Sequence, residues 1–206
     1  MQVIVPFDAV DPKTRLSPVL DPAERRAFAG AMCRDVLDAV QAAGGDPRLL
    51  STAPVEFGVP TTVDERPLTA AVNAALSNRE GTVAVVMADL GLVTPDALER
   101  VFATDGEIVL VPGRGGGTNV VLARHPEFRV DYHDGSIRDH RERAAELGVC
   151  PTSVDSYRLS TDVDDPSDLV EVLLHTDCRA ADWLRDAGFE VSNTGGRLTV
   201  TRSVGE

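Results

Sequence analysis

The feature that most restricts the fold is a continuous apolar run, V-A-V-V-M, at residues 83–87. A strand with one solvated face alternates apolar and polar residues, and this run does not, so both of its faces must be covered. Shorter apolar runs at 3–5 and 108–111 alternate along the chain with segments of helical spacing. This order predicts a three-layer α/β/α fold with a mainly parallel sheet and right-handed crossovers.

Capping residues and apolar spacing locate the other elements. We expect helices over 23–43, 67–78, 94–102, 137–147, 166–175 and 180–188, extended segments over 48–52 and 119–123, and a hairpin over 189–202. A chain of 206 residues fits a single domain, 1–206, in which residues 178–206 form a small helix-and-hairpin appendage. That appendage offers a surface for a homodimer contact.

The charge balance limits the partners. The chain has 33 acidic and 20 basic residues and a net charge of -13, which disfavours nucleic acid and anionic membranes as partners. Arginine almost replaces lysine, and an acidic surface of this kind is typical of a high-salt cytoplasm. The odd number of cysteines, three, and the lack of a signal-peptide pattern favour the cytoplasm, and no apolar run approaches the length that a membrane span needs.

Lys13 is the only lysine in the sequence, and it lies with Arg15 in the loop after the first apolar run. An ammonium on a flexible stem makes a mobile contact to phosphate, and a neighbouring guanidinium adds a bidentate one. The pair therefore predicts a phosphate-contacting loop. The alternative is a lysine that survived by chance on an ordinary surface loop.

Carboxylates follow two later segments. Asp89 ends the apolar run at 83–87, where a buried carboxylate is costly unless it is paired or bound to a metal. Mg²⁺ commonly joins one or two carboxylates to substrate phosphates, and Asp162 and Asp164 are the candidates to join Asp89. The alternatives are a turn or capping role for Asp89, and a helix start for Asp164 and Asp165.

A glycine-rich loop, G-R-G-G-G at 113–117, precedes Thr118 and Asn119. Without side chains in the way, its backbone N–H groups can cradle an anion. The loop matches neither the P-loop nor the dinucleotide fingerprint. None of the four histidines has a metal-binding spacing, and they are interpreted as surface or hydrogen-bonded side chains.

Seven segments in order carry a resemblance to a known family. They are V-P-F at 5–7, P-K-T-R-L-S-P-V-L at 12–20, E-R-R-A-F-A-x-A-M at 24–32, A-D-L-x-L at 88–92, G-R-G-G-G-T-N at 113–119, G-S-x-x-x-H at 135–140 and T-D-V-D-D-P-x-D-L at 161–169. Together they resemble the 2-phospho-L-lactate guanylyltransferases of deazaflavin coenzyme biosynthesis, within the nucleotidyltransferases that include the molybdenum-cofactor guanylyltransferases. The resemblance implies the Rossmann-like nucleotidyltransferase fold.

The resemblance also implies a reaction and roles for residues. The reaction is transfer of GMP from GTP to 2-phospholactate, with Mg²⁺ as the cofactor. The implied catalytic residues are Lys13, Arg15 and Asp89. The implied GTP-binding residues are Pro6, Lys13, Arg15, Leu68 and Asn73. The implied acceptor-binding residues are Thr118, Asn119, Gly135 and Ser136, and the implied metal ligands are Asp89, Asp162 and Asp164. Because the acceptor phosphate is itself the nucleophile, no strong general base is needed.

Two other functions remain open from the sequence. One is a related nucleotidyltransferase that uses phosphoenolpyruvate, 3-phosphoglycerate or another phosphorylated acceptor. The other is a nucleotide-binding regulatory domain without chemistry, which the joint presence of Lys13, Arg15, Asp89, Asp162 and Asp164 disfavours, because a binding module needs no triphosphate clamp beside a metal site.

Overall fold

A seven-stranded sheet forms the centre of the computed structural model, which describes residues 1–78 and 81–203. In spatial order its strands are β3 (Thr61–Val63), β2 (Asp46–Ser51), β1 (Gln2–Phe7), β4 (Val83–Val86), β6 (Thr118–Ala123), β5 (Ile108–Pro112) and β7 (Thr152–Ser153). Strand β6 is antiparallel to both of its neighbours, and the other pairs are parallel. The predicted mainly parallel sheet is confirmed.

The helices lie close to their predicted positions. They are α1 (Pro22–Ala42), α2 (Leu68–Ser77), α3 (Pro95–Ala103), α4 (Ser136–Glu146), α5 (Tyr157–Ser160), α6 (Leu169–His175) and α7 (Arg179–Asp186). Strands β8 (Phe189–Thr194) and β9 (Arg197–Arg202) form the predicted hairpin. The sequence prediction missed β3, β7 and α5, which have two to four residues each and are too short to show a period.

The two faces of the sheet carry separate cores. Val3 and Val5 pack on the face covered by α1 and α3, whereas Ile4 packs on the face covered by α2 and α4. Strand β4 divides its side chains in the same way. The three-layer arrangement explains why V-A-V-V has no polar position, and it is confirmed.

Helix α1 begins where its sequence signals place it. The Asp21 carboxylate accepts hydrogen bonds from the backbone N–H groups of Ala23 and Glu24, at 2.7 and 2.8 Å, and the Glu24 carboxylate accepts from Asp21 N–H. This capping box provides acceptors for backbone N–H groups that have no acceptor within the helix, and Pro22 occupies the first helical position. The fixed start sets the orientation of α1 beside the loop that carries Lys13.

A third core joins the C-terminal segment to α1. The Phe28 and Trp183 rings lie 5.4 Å apart, and the Asp35 carboxylate accepts a 2.9 Å hydrogen bond from Ala180 N–H at the start of α7. Arg202 on β9 pairs with Glu24. These contacts tie α1 to the appendage from its first turn at Glu24 to Asp35. Within the described ranges, no helix combines the length and apolar character that a membrane span requires.

Candidate active site

A cavity of about 530 Å³ opens at the carboxyl ends of β1, β2 and β4, beside the start of α2. Binding at this edge is usual for open α/β sheets. Its lining residues include Pro6, Lys13, Leu68 and Asp89, which the sequence placed in or beside the nucleotide site. The structure therefore brings together side chains from three separate parts of the chain.

The backbone around Lys13 is held in an unusual conformation. Lys13 has φ of 54°, and it is the one non-glycine residue in the described ranges with positive φ. The Arg25 side chain, buried in α1, donates to the Pro12 carbonyl at 3.2 Å and pairs with Asp11 at 2.5 Å. Left-handed backbone costs about 1–3 kcal/mol in a non-glycine residue, so these contacts stabilise a conformation that directs Lys13 toward the cavity.

Lys13 lies between two carboxylates. Its Nζ donates to Asp89, and to Asp164 Oδ1 at 2.9 Å, and its side chain is only 11% exposed. Arg15 pairs with the other oxygen of Asp164. Burial alone would lower the pKa of Lys13, but the charges of Asp89 and Asp164 outweigh it and raise that pKa. Lys13 is therefore a charged, positioned ammonium.

The carboxylates of this cluster differ in their environments. Burial raises the pKa of Asp162, and the nearby Asp89 charge adds to that effect against an opposing hydrogen bond from Asn119. For Asp164, burial acts in the same direction, but Lys13 and then Arg15 outweigh it and lower the pKa. Asp164 is thus already neutralised by cations, whereas Asp162 lacks such a partner.

The residues present fit a divalent cation at Asp89 and Asp162. Asp89 Oδ1 is buried and has no hydrogen-bond partner, which is costly unless a cation contacts it. In the described ranges, no group of three or more His, Cys, Asp or Glu side chains is arranged to hold a metal ion. Lys13 pairs with both Asp89 and Asp164, and Arg15 pairs with Asp164, so Asp162 is the predicted ligand that has no cation partner, and the set of three ligands stays a prediction.

A β-bulge separates the side chains at the start of β6. Val120 lies opposite Val111 and Thr118 opposite Pro112, so Asn119 is an extra residue on β6. Bulges redirect side chains beside functional sites. Asn119 donates to Asp162 Oδ1 at 3.1 Å, and Thr118 points to α4.

The predicted acceptor residues Thr118 and Ser136 form a buried cluster with His140. Thr118 Oγ1 lies 2.8 Å from His140 Nδ1 and 3.3 Å from Ser136 Oγ, and all three residues are at most 3% exposed. Burial lowers the pKa of His140 to about 4, although the Asp131 and Asp139 carboxylates act in the opposite direction. His140 is therefore neutral at physiological pH.

The depressed pKa of His140 makes folding stability depend on pH. Below its ordinary pKa of 6.5 the unfolded chain binds a proton that the folded chain refuses until about pH 4, so stability falls as pH falls. Between pH 7.5 and 5.0 we expect His140 to reduce the free energy of unfolding by about 2 kcal/mol. Denaturant unfolding in high salt measures the free energy of unfolding at the two pH values. In His140→Asn this free energy should fall between pH 7.5 and 5.0 by about 2 kcal/mol less than in the wild type. An identical pH dependence in both proteins would contradict the assignment.

The remaining predicted residues lie as follows. Gly135 precedes α4 with φ of 79°, and Arg15 is 62% exposed beside Asp164. Asn73 is directed away from the main cavity, because its side-chain amide binds both backbone groups of Val130 at 2.9 Å. Asn73 is not among the residues that line that cavity.

The sequence reasoning missed an acidic and basic pair at the other end of the cavity. Asp64 and Arg66 follow β3, and the Arg66 guanidinium contacts both carboxylate oxygens, with Nε 2.8 Å from Oδ1. The Arg66 hydrogen bonds hold the pKa of Asp64 at about 2. The short strand that places this pair carried no recognisable pattern, but the D-E-R-P sequence ahead of α2 is a helix-start signal.

The mixed seven-stranded sheet, with helices on both faces and a cavity at its carboxyl edge, is an α/β fold that solved nucleotidyltransferase structures share. A nucleotidyl transferase from Methanothermobacter thermautotroptrophicus shares the fold, with a TM-score of 0.60 and 18% identity over 90% of this chain and 99% of that chain.

The chain belongs to the family described as Guanylyl transferase CofC like, whose family model matches residues 1–203. It is 61% identical to the 2-phospho-L-lactate guanylyltransferase of Halomicrobium mukohataei, over 98% of this chain and all of that protein. It is 55% identical to the protein of the same name from Haloarcula marismortui, over 98% of this chain and 99% of that one. The chain is therefore an enzyme with haloarchaeal relatives, and the predicted family resemblance is confirmed.

Proposed function

We propose that this enzyme transfers GMP from GTP to the phosphate of (2S)-2-phospholactate, forming lactyl-2-diphospho-5'-guanosine and pyrophosphate in coenzyme F-420 biosynthesis. The observation that carries the proposal is the Lys13 ammonium, held between Asp89 and Asp164 at the cavity edge of a chain in this family. The relatives' shared name supplies the acceptor.

The chemistry is a displacement at phosphorus. An oxygen of the acceptor phosphate bonds to the α-phosphorus of GTP, the bond from that phosphorus to the bridging oxygen breaks, and pyrophosphate leaves with the electron pair. An ionised phosphate needs no proton removed, so catalysis consists of positioning and charge stabilisation. Lys13 and Arg15 are suited to stabilise the charge that grows on the leaving pyrophosphate.

Asp89 and Asp162 would hold a divalent metal ion, and we propose Mg²⁺. When bound, the ion neutralises phosphate charge. Asp164, which the sequence placed among the ligands, orients Lys13 and Arg15 through its ion pairs. Asn119 fixes the Asp162 carboxylate through its side-chain amide.

The acceptor would bind beside the glycine-rich loop. The hydroxyl groups of Thr118 and Ser136 and the backbone at Gly135 lie on the far side of the Asn119 bulge from Asp162. The Thr118 hydroxyl and the backbone at Gly135 offer neutral donors to the carboxylate and phosphate of a three-carbon phospho acid, and the Ser136 hydroxyl donates to Thr118.

The guanine base would bind at the Asp64 end of the cavity. The apolar side chains of Pro6, Leu50 and Leu68 line that cavity and suit the faces of a purine. Guanine presents two N–H donors on one edge, which an ionised carboxylate accepts, whereas adenine presents a nitrogen lone pair and a C–H there. Asp64, kept ionised by Arg66, supports a preference for GTP over ATP.

Replacing Asp64 with asparagine should therefore reduce the preference for GTP. Hydrogen bonds to a charged group are stronger than those to a neutral one, so the ratio of kcat/KM for GTP to that for ATP should fall about ten- to a hundredfold. Glu65→Gln is the matched control, because the adjacent Glu65 also lines the cavity and loses the same charge. Equal effects of the two substitutions on the ratio would exclude Asp64 as the base-reading group.

The direct test of the proposed function is pyrophosphate release with Mg²⁺ in high salt. GTP and ATP are each compared with 2-phospholactate, phosphoenolpyruvate and 3-phosphoglycerate. We expect the highest kcat/KM for GTP with 2-phospholactate. A higher value with phosphoenolpyruvate or 3-phosphoglycerate would replace the acceptor and keep the reaction class, and no release with any pair would overturn the proposal.

A further inference from the structure

His140 lies outside every role given above. It ends the G-S-x-x-x-H segment at 135–140 and is completely buried in α4. Each of its ring nitrogens has one hydrogen-bond partner. A buried histidine with two defined partners has one preferred tautomer, and that tautomer fixes the direction of its hydrogen bonds.

The tautomer follows from the partner of Nε2. The backbone N–H of Asp131 donates to His140 Nε2 at 2.9 Å, so Nε2 carries no proton in the neutral ring. The proton of neutral His140 is therefore on Nδ1. Nδ1 lies 2.8 Å from Thr118 Oγ1, and the hydrogen bond runs from the histidine to the threonine oxygen.

The Thr118 hydroxyl is thereby given a single role. A hydroxyl oxygen accepts two hydrogen bonds and donates one. Thr118 Oγ1 accepts from His140 Nδ1 and from Ser136 Oγ, which lies 3.3 Å away. Both acceptor positions are occupied, and among residues 1–78 and 81–203 the Thr118 proton has no acceptor. The hydroxyl can only donate, and it has a proton left to donate.

Two glycine-containing segments meet next to the Thr118 cluster. The backbone N–H of Ile137 donates to the Gly116 carbonyl at 3.2 Å, which joins the glycine-rich loop to the start of α4. A Cβ atom added at Gly135 would meet no atom within 4 Å. The segment that begins α4 therefore borders open space at Gly135, next to the hydroxyl cluster.

We propose that His140 is a positioning residue that acts through Thr118, making the Thr118 hydroxyl an obligate donor to an anionic oxygen of the acceptor. The inference rests on the proposed function, because it assigns the acceptor to this cluster. It explains why a neutral histidine, His140, is buried next to the proposed acceptor-binding residue Thr118. A hydroxyl that can only donate favours a carboxylate or phosphate oxygen and disfavours a ligand group that must itself donate.

Steady-state kinetics on four variants test this proposal. Thr118→Val and His140→Phe remove the donor and its orienting group with little change in shape, and each should raise the KM for 2-phospholactate about tenfold. The KM for GTP should stay within about twofold. The double variant Thr118→Val/His140→Phe should be no worse than either single one, because His140 acts only through Thr118. His140→Asn keeps a donor at the Nδ1 position and should retain most of the affinity.

Each outcome decides the proposal. The proposal would be overturned if the increases in the KM for 2-phospholactate multiplied in the double variant. It would also be overturned if His140→Phe raised the KM values for 2-phospholactate and GTP equally, because that result would show a purely structural role. An unchanged KM for 2-phospholactate in a Thr118→Val enzyme that still makes the product would also overturn this proposal. That result would leave the proposed function intact. A wild-type enzyme that uses none of the acceptors would instead overturn the proposed function, and this proposal with it.

A spectroscopic measurement on the wild-type protein does not depend on variants that fold. Nitrogen-15 NMR of histidine-labelled enzyme distinguishes the two neutral tautomers. We expect His140 to be protonated at Nδ1 at pH 7. Protonation at Nε2 would reverse the hydrogen bond to Thr118 and exclude the proposal.

Discussion

Replacing Lys13 with methionine should lower kcat about 10²- to 10³-fold. Loss of one positioned donor to a developing negative charge costs about that much in enzymes, roughly 2.7–4 kcal/mol. Lys13 is suited to this role because its charged Nζ is fixed by Asp89 and Asp164 rather than free in solvent. Single-turnover measurement of pyrophosphate release reports the chemical step directly.

The Lys13 variant needs controls for charge and for stability. Arg26→Met removes one positive charge from the exposed side of α1, next to the buried Arg25, and should leave kcat within about twofold. Lys13→Met also leaves Asp89 and Asp164 without the cation between them, so a lower melting temperature is expected. Adding Asp164→Asn should recover part of the stability but none of the activity. A kcat within a few-fold of wild type would show that Lys13 is not the charge-stabilising group.

Replacing Asp89 with asparagine should remove metal-dependent turnover, with a loss of at least about 10³-fold. The substitution conserves shape, so the fold should persist, but the amide lacks the charge that attracts a divalent ion. Asp89 Oδ1 is buried without a partner, which leaves the oxygen available for a metal contact.

Metal binding itself provides an independent measurement for Asp89. The wild-type protein should show a rise in melting temperature with Mg²⁺ or Mn²⁺ at fixed salt, because a ligand that binds only the folded state stabilises it. Asp89→Asn should lose this rise, and Asp162→Asn should reduce it. Asp96→Asn, an exposed carboxylate in the first turn of α3, is the matched control and should retain it. An undiminished rise in Asp89→Asn would remove Asp89 from the metal site.

The site residues were predicted unevenly from the sequence. Lys13 and Asp89 could be predicted from the sequence, because Lys13 is the only lysine and Asp89 ends an apolar run. The structure brings the two side chains into contact. Asn73 was placed in the nucleotide site through the family resemblance, but its amide binds Val130 instead. Arg25 lies in the segment at 24–32, but the sequence assigned it no role. Its contact with the Pro12 carbonyl cannot be predicted from residue spacing.

The sequence by itself determined the family, the α/β class and the positions of the longer helices and strands. The seven ordered segments carried the family resemblance, whereas the class and the element positions followed from apolar periodicity and capping residues, which report local burial and local hydrogen bonding. The tertiary structure alone decided that β6 lies antiparallel between β4 and β5, that a bulge separates Thr118 from Asn119, and that Asp164 pairs with Lys13. Lys13 and Asp164 are 151 positions apart, and a contact at that separation depends on how the whole chain packs, which no local pattern records.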